Sequence, residues 1–334
     1  IFLRILTSGS GRRTESHTMS TVSSHIETFI SRDLLLQLLQ QTFGTRVEWL
    51  DYAIGNQHHD YLVLLVQLRH PSIQVVVKLA GPEAPMACPF DRTAMLHRLV
   101  AAQTTIPMPE VIAVNMSLQT WPWRYFIKTH IPGQEWAEVR PQLNATELSD
   151  AYRQIGNAVA QLHVIRFPMF GELTADGSVQ GDGSYFPVLI NHARDSIKSA
   201  RLRDVFFTVL EKHQDLFVDI RHASLCHEDL HKYNILFQYR QGEWRLATIL
   251  DFDKAWAGHH ETDLARLDLW EGMLNQDFWR SYEAILPIEP RYQQRRPIYQ
   301  LLWCFEFARS TVEHLADTRR LCAELNIPCV ERFE

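Results

Sequence analysis

Leu225-Cys226-His227-Glu228-Asp229-Leu230-His231-Lys232-Tyr233-Asn234-Ile235-Leu236-Phe237, answered downstream by Ile249-Leu250-Asp251-Phe252-Asp253, decides how the rest of the chain is read. Two apolar runs flank Arg240-Gln241-Gly242-Glu243, which predicts an antiparallel hairpin over residues 235–239 and 244–250. With Gly242 near the tip, the first residue of one strand faces the last residue of the other. Asn234 and Asp251 are then expected side by side at the open end, and Asp229 on the loop that leads into it. Three oxygen-bearing side chains should converge there.

An amide oxygen beside carboxylates is a hard donor set of the kind magnesium prefers, in a sphere shared with substrate phosphates. A further carboxylate just outside that sphere can accept a proton from an attacking hydroxyl. The order His-x-Asp, Asn five positions after the Asp, then Asp-Phe-Asp beyond a hairpin, is that of the protein-kinase catalytic and metal loops. Asp253 stands where protein kinases have Gly, and Leu230-His231 follows the Asp. In both respects the chain resembles the aminoglycoside phosphotransferase and choline kinase-like family more than protein kinases.

Composition sets the frame. A chain of 334 residues, 46% hydrophobic and 22% charged, can bury a large core and is expected to form two lobes. A net charge of −6 without any lysine-rich block argues against a nucleic-acid partner and favours a neutral or cationic small substrate. The 5 cysteines are scattered without Cys-x-x-Cys spacing, so neither a disulfide framework nor a zinc ribbon is indicated, and a reducing cytoplasm fits. No apolar run approaches the roughly 20 residues of a membrane span, so no membrane partner is expected. Residues 1–18 precede Met19 and read as an upstream extension or a fragment artefact, and 1–24 as a disordered tail or extension.

Ser31 is a candidate N-cap for a helix carrying Leu34, Leu35, Leu38 and Leu39 on one face, with Gly44 after its end. Val47–Leu50, Tyr61–Leu68 and Ile73–Leu79 suit a three-strand meander, with His70-Pro71-Ser72 as the second turn. The first connection, Ile54 to Asp60, occupies the place of a phosphate-covering loop but holds the single glycine Gly55 beside Asn56. Lys78 ends the run Val75-Val76-Val77, as the strand lysine of Val-Ala-Ile-Lys does in kinases; the plainer alternative is an edge-strand lysine facing water. A helix over residues 90–101 should carry the acidic partner of this lysine. Asp91 on that helix and Glu83 in the preceding loop both remain candidates.

Ile106-Pro107-Met108-Pro109 resembles the family's link into its fourth strand, and Tyr125 to Gly133 its fifth strand and hinge. The resemblance implies that backbone groups of Thr129, His130 and Ile131 meet an adenine edge. Asn144 or Thr146 should cap a core helix bearing Leu148, Tyr152, Ile155, Val159 and Leu162; His163 at its end reads as a structural hydrogen-bonder. Residues 171–183, rich in glycine and without periodicity, read as an exposed loop before helices near 187–200 and 203–216. Gly258-His259-His260-Glu261-Thr262-Asp263-Leu264-Ala265 looks like the family's helix start, with Asp263 a cap or an orienter of the catalytic loop. Beyond it the chain is helical and carries tryptophans and phenylalanines, one or two of which could face a cationic acceptor.

By resemblance the fold is α+β and bilobal, protein-kinase-like, with a small antiparallel-sheet lobe over 25–128 and a mostly helical lobe over 129–334. The implied reaction moves the γ-phosphoryl group of ATP, or alternatively GTP, to a hydroxyl of a small molecule with Mg2+. Asp229 would be the base, Asn234 and Asp251 the metal ligands, and Lys78, with Gly55 and Asn56, the phosphate holders. Glu228, where the aminoglycoside enzymes often have Gly, would contact the acceptor or line the cleft. Two alternatives stand beside this: a kinase-like nucleotide-binding protein without catalysis, and a metal-dependent hydrolase using His227, Asp229, His231, Asp251, His259 and His260. Neither the acceptor nor the oligomeric state is legible.

Overall fold

Ser31 accepts the Leu34 N–H at 3.3 Å and starts helix α1 (Arg32–Phe43), which buries Leu35, Leu38 and Leu39 and stops at Gly44, whose φ of 90° suits a residue without Cβ. The computed structural model describes residues 31–57, 61–81, 89–328 and 333. The tail and Glu83 lie outside the described residues. The chain divides into two compact units, one running to Ala94 and taking in Pro109–His130, the other formed by Met95–Met108 and everything from Ile131.

In the first unit β1 (Glu48–Gln57), β2 (Tyr61–His70) and β3 (Gln74–Ala80) form the expected meander; after α2 (Phe90–Gln103), β4 (Val111–Asn115) and β5 (Arg124–Thr129) complete an antiparallel sheet of order β1-β2-β3-β5-β4. Alternate residues of these strands (Leu62, Leu64, Val66, Val75, Val77, Leu79 and Ile127) pack with the leucines of α1, which is the period-two signature of a sheet with one face on a helix. The sequence expectation of a loop from Ile54 needs correction. Strand β1 continues through Gly55 and Asn56 to Gln57, because Tyr52, Ala53 and Ile54 find partners in Val66, Leu65 and Leu64 of β2. Extended pairing to an apolar neighbour outweighs one glycine, and a register shift between Ile54 and Gln57 absorbs it. Lys78 is likewise not on an edge: β3 is the middle strand, and Lys78 pairs with Val63 and Phe126.

The second unit is mostly helical. Its helices are α3 (Trp136–Val139), α4 (Ala145–His163), α5 (Tyr185–Ser196), α6 (Ala200–Lys212), α7 (Glu261–Leu269), α8 (Gln276–Glu283), α9 (Tyr292–Phe307) and α10 (Val312–Glu324). Asn144 caps α4 in a reciprocal box with Glu147. A three-stranded sheet joins β6 (Gln134–Glu135) to the hairpin β11 (Ile235–Arg240) and β12 (Glu243–Ile249), and Gln241 and Gly242 turn it at φ 53° and 87°. A second antiparallel sheet runs β7 (Arg166–Phe167), β10 (Ala223–Cys226), β13 (Trp256–Gly258), β8 (Phe170–Leu173), β9 (Val179–Asp182). Residues 171–183, expected to be a loop, thus carry a hairpin. Gly171 opposes Gly181 in it, and a Cβ on Gly181 would lie 1.7 Å from the Phe170 carbonyl oxygen, so the pairing depends on the residues that hid it.

Candidate active site

Strand β10 is fully buried and delivers the chain directly to His227, Glu228 and Asp229. The turn that follows is held from below by Asp263 in the first turn of α7. Its carboxylate, 0% exposed, accepts the backbone N–H groups of His227 at 2.6 Å and Glu228 at 2.8 Å. His163, at the end of α4, meets the same carboxylate through Nε2 at 3.1 Å and Tyr282 through Nδ1 at 2.8 Å, the structural role its position suggests. Burial alone would raise the Asp263 pKa, but the His163 hydrogen bond and neighbouring imidazoles prevail and hold it below the usual value.

The loop is stitched by its own side chains. His227 Nδ1 accepts the Asp229 N–H at 3.2 Å, which leaves Nε2 to carry the proton that reaches the Leu250 carbonyl at 2.7 Å. His231 Nδ1 accepts the Tyr233 N–H at 3.2 Å, and its Nε2 lies 3.8 Å from Asp229 Oδ1. Burial is the main reason the His231 pKa falls to about 4, against the opposing pull of Asp229. Asn234 Nδ2 donates to the Asp229 carbonyl at 2.9 Å, which turns Oδ1 the other way, and the Asn234 carbonyl accepts the Leu250 N–H at 2.8 Å. Ile235 pairs with Ile249, so Asn234 stands opposite Leu250 and Asp251 lies two residues past the last ladder pair, with a left-handed φ of 66°. The offset refines the sequence expectation of direct opposition. A carboxylate and an amide oxygen at the end of one hairpin, with nearby imidazoles already engaged, fit a hard divalent cation such as Mg2+.

Glu228 differs from its expected role. It is 4% exposed, adopts φ 60°, accepts the Trp256 indole N–H at 2.9 Å and pairs with Arg266 at 3.1 Å. Its charge is spent inside the protein and does not face an acceptor. Arg266, on α7, also reaches Glu306 at 3.0 Å and stands 3.9 Å from Asp229 Oδ1; Lys254 joins Glu306 at 2.6 Å. Burial opposes its ionisation, yet Arg266 and Lys254 hold the Glu306 carboxyl below its ordinary pKa. Sequence reasoning missed Arg266, Lys254 and Glu306, although Arg266 follows Asp263 by three residues and so shares its helix face.

The other expected site residues belong to the first unit, Ile131 excepted. Lys78 Nζ lies 5.4 Å from the Tyr61 ring centroid. Asp91 sits in the first turn of α2 with Oδ1 on the Arg92 N–H at 2.8 Å. Two of the three backbone amides expected at an adenine edge serve the sheet: Thr129 N–H donates to the Glu110 carbonyl at 3.0 Å and His130 N–H to Gln74 at 2.9 Å. The six side chains of the hydrolase alternative do not converge; among the described residues, the group of three metal-capable side chains is His259, His260 and Glu289.

Fold and loop together define the protein-kinase-like architecture of small-molecule phosphotransferases. The chain belongs to the phosphotransferase enzyme family, whose model matches residues 52–298. A protein assigned as a ketoamine kinase in Lactiplantibacillus plantarum is 28% identical over 165 residues, 45% of this chain and 57% of that protein, so the match spans little more than half of the relative. Among solved structures, a thermostable mutant of an aminoglycoside phosphotransferase, bound to AMP-PNP and hygromycin B, superposes with a TM-score of 0.63 at 15% identity over 87% of this chain and 98% of its own. A protein assigned as fructosamine-3-kinase from Haemophilus somnus gives 0.59 at 17% over 87% and 96%. The ethanolamine kinase of Plasmodium vivax gives 0.55 at 13% over 96% and 97%. At these identities the likeness to solved structures is one of fold.

Proposed function

We propose that this protein transfers the γ-phosphoryl group of ATP to a hydroxyl of a small molecule. The observation that carries this is the loop from His227 to Asn234, in which a carboxylate, Asp229, is fixed through its backbone N–H and C=O to His227 and Asn234 while its side chain faces Arg266 and His231. A base must be held in place to act on a hydroxyl proton, and both of its backbone groups are tied down.

In this proposal Asp229 orients the acceptor hydroxyl and takes its proton as the oxygen attacks phosphorus. Asn234 Oδ1 and Asp251 would hold a magnesium ion, which would supply charge neutralisation to the phosphates. Lys78, on the middle strand of its sheet, is the residue proposed to hold phosphates, and the stretch Thr129 to Ile131 the one proposed to hold the base. His231 Nδ1 is taken up by the Tyr233 N–H, so Nε2 carries the ring proton and offers no free lone pair to the acceptor hydroxyl. Glu228 and Arg266 set the position of Asp229 from inside the protein.

For the acceptor, the relatives suggest ketoamines first, from the names of a ketoamine kinase and a fructosamine-3-kinase. Aminoglycosides and amino alcohols follow. The test is ATP consumption by the purified chain with magnesium, against fructosamines, aminoglycosides, ethanolamine and choline, with GTP in parallel. Acceptor-dependent release of ADP with a phosphorylated product is expected. No magnesium-dependent nucleotide binding at millimolar ATP would refute the proposal.

A further inference from the structure

We infer that His259, His260 and Glu289 form a zinc-class metal site, separate from the residues proposed for phosphoryl transfer. His259 follows strand β13, His260 is the residue before α7, and Glu289 lies between α8 and α9, so two distant segments of the second unit meet here. One donor atom from each of the three side chains falls within 4.8 Å of the others.

Three independent observations point to a ligand. The first is His260, which is 3% exposed and has no hydrogen-bond partner at either ring nitrogen; its neighbours are the rings of His259 at 4.7 Å and His163 at 5.8 Å. A buried polar atom without a partner destabilises the fold, and an imidazole orphaned on both sides calls for an ion or a water molecule.

The second is the hydrogen bonding of His259. Its Nε2 meets Glu289 Oε1 at 3.3 Å and its Nδ1 meets the Tyr299 hydroxyl at 2.8 Å. Moving the ring proton to Nδ1 lets it donate to the Tyr299 oxygen and frees Nε2 for a cation beside Glu289, the arrangement in which a bound imidazole is oriented by its second nitrogen. The third is charge. Glu261 and Glu289 face Arg295, which holds Glu261 through two contacts at 2.6 and 2.7 Å and reaches Glu289 at 3.0 Å. Two carboxylates beside one guanidinium leave a net negative charge next to two imidazoles, and Arg295 keeps its principal partner if Glu289 turns to a cation.

Two imidazoles and one carboxylate select zinc over magnesium or calcium, which take oxygen ligands. Glu289 has a side chain 37% exposed, so water can complete the sphere from its side. The ion would pin the start of α7 three residues ahead of Asp263, a structural role for the helix that carries the loop's anchor.

The full chain, stripped with EDTA and dialysed, is titrated with zinc chloride against a chromophoric zinc chelator, and melting is followed with and without zinc. One zinc per chain and a rise in melting temperature are expected for wild type. Glu289→Gln, at a half-exposed position where folding is safe, should weaken zinc binding by at least about tenfold and abolish the thermal gain; His260→Phe should do the same. Failure to take up one equivalent at micromolar free zinc would overturn the site and leave a buried water as the occupant. So would stoichiometric binding that survives Glu289→Gln. Neither outcome touches the phosphotransferase proposal.

Discussion

Asp263→Asn separates the scaffold of the catalytic loop from its chemistry. The native carboxylate is 0% exposed and accepts three hydrogen bonds, at 2.6, 2.8 and 3.1 Å. Charge-assisted hydrogen bonds contribute about 1.5–3 kcal/mol each, and a buried donor left without an acceptor costs about 1–3 kcal/mol. Asparagine offers one carbonyl oxygen in place of two carboxylate oxygens, and its NH2 end confronts either a backbone N–H or the His163 ring. At least one donor is therefore orphaned and the others lose their ionic partner, while removal of a buried charge returns part of the desolvation cost. A net loss of about 2–4 kcal/mol follows from these magnitudes. Urea unfolding followed by tryptophan fluorescence measures it, with the slope checked for constancy. The difference from wild type should also depend on pH. Because the folded carboxyl titrates below the ordinary aspartate value, its stabilisation is complete above that value and fades as the pH falls through the folded pKa. A variant within about 0.5 kcal/mol of wild type at neutral pH would show that Asp263 does not hold the loop.

Asp229→Asn should leave ATP affinity and melting nearly unchanged while transfer to an identified acceptor falls by about 10²- to 10⁴-fold; full retained activity would refute its assignment as base. Asp251→Ala should keep or raise the ligand-free melting temperature yet abolish nucleotide stabilisation, which at a hundredfold excess over Kd amounts to about 2.7 kcal/mol; a large loss of ligand-free stability would instead mark a structural residue. Burial pushes the folded His231 pKa down to about 4 from the ordinary 6.5, so protonation favours the unfolded chain between those pH values. Wild type should lose about 3 kcal/mol over that window, and His231→Gln should flatten the fall; parallel urea midpoints from pH 7 to 4 decide it.

The parts of the site that the sequence shows are those made by neighbours along the chain. Asn234 and the segment from Ile235 to Asp251 are brought together by a two-residue turn, and the loop's histidines bond within two residues of themselves. Asp263 was also legible, because a helix start places an acid in a defined spot. Arg266 and Glu306 were not, since their pairing spans 40 residues and depends on how α7 packs on α9. Glu228 misled for the same reason: its charge is neutralised by a residue whose proximity no local pattern announces. The hairpin at Phe170–Leu173 was hidden because its glycines suggest flexibility in a sequence but in the sheet permit close approach. The loop expected from Ile54 was placed too early because strand pairing to β2 extends past the point where local composition weakens.

The positive φ at Glu228 gives the loop's history a direction. An L-residue in that conformation costs about 1–2 kcal/mol that glycine would not, and here Glu228 is tied to Trp256 and Arg266. Loss of Arg266 alone would strand the buried Glu228 carboxylate, while Glu306 keeps Lys254, a change costing about 3–5 kcal/mol for a broken buried pair. Loss of Glu228 to glycine would ease the backbone and leave Arg266 its partner Glu306. A lineage moving between the two forms of this loop can therefore change the acid first and the arginine afterwards, whereas the opposite order passes through a poorly folded intermediate.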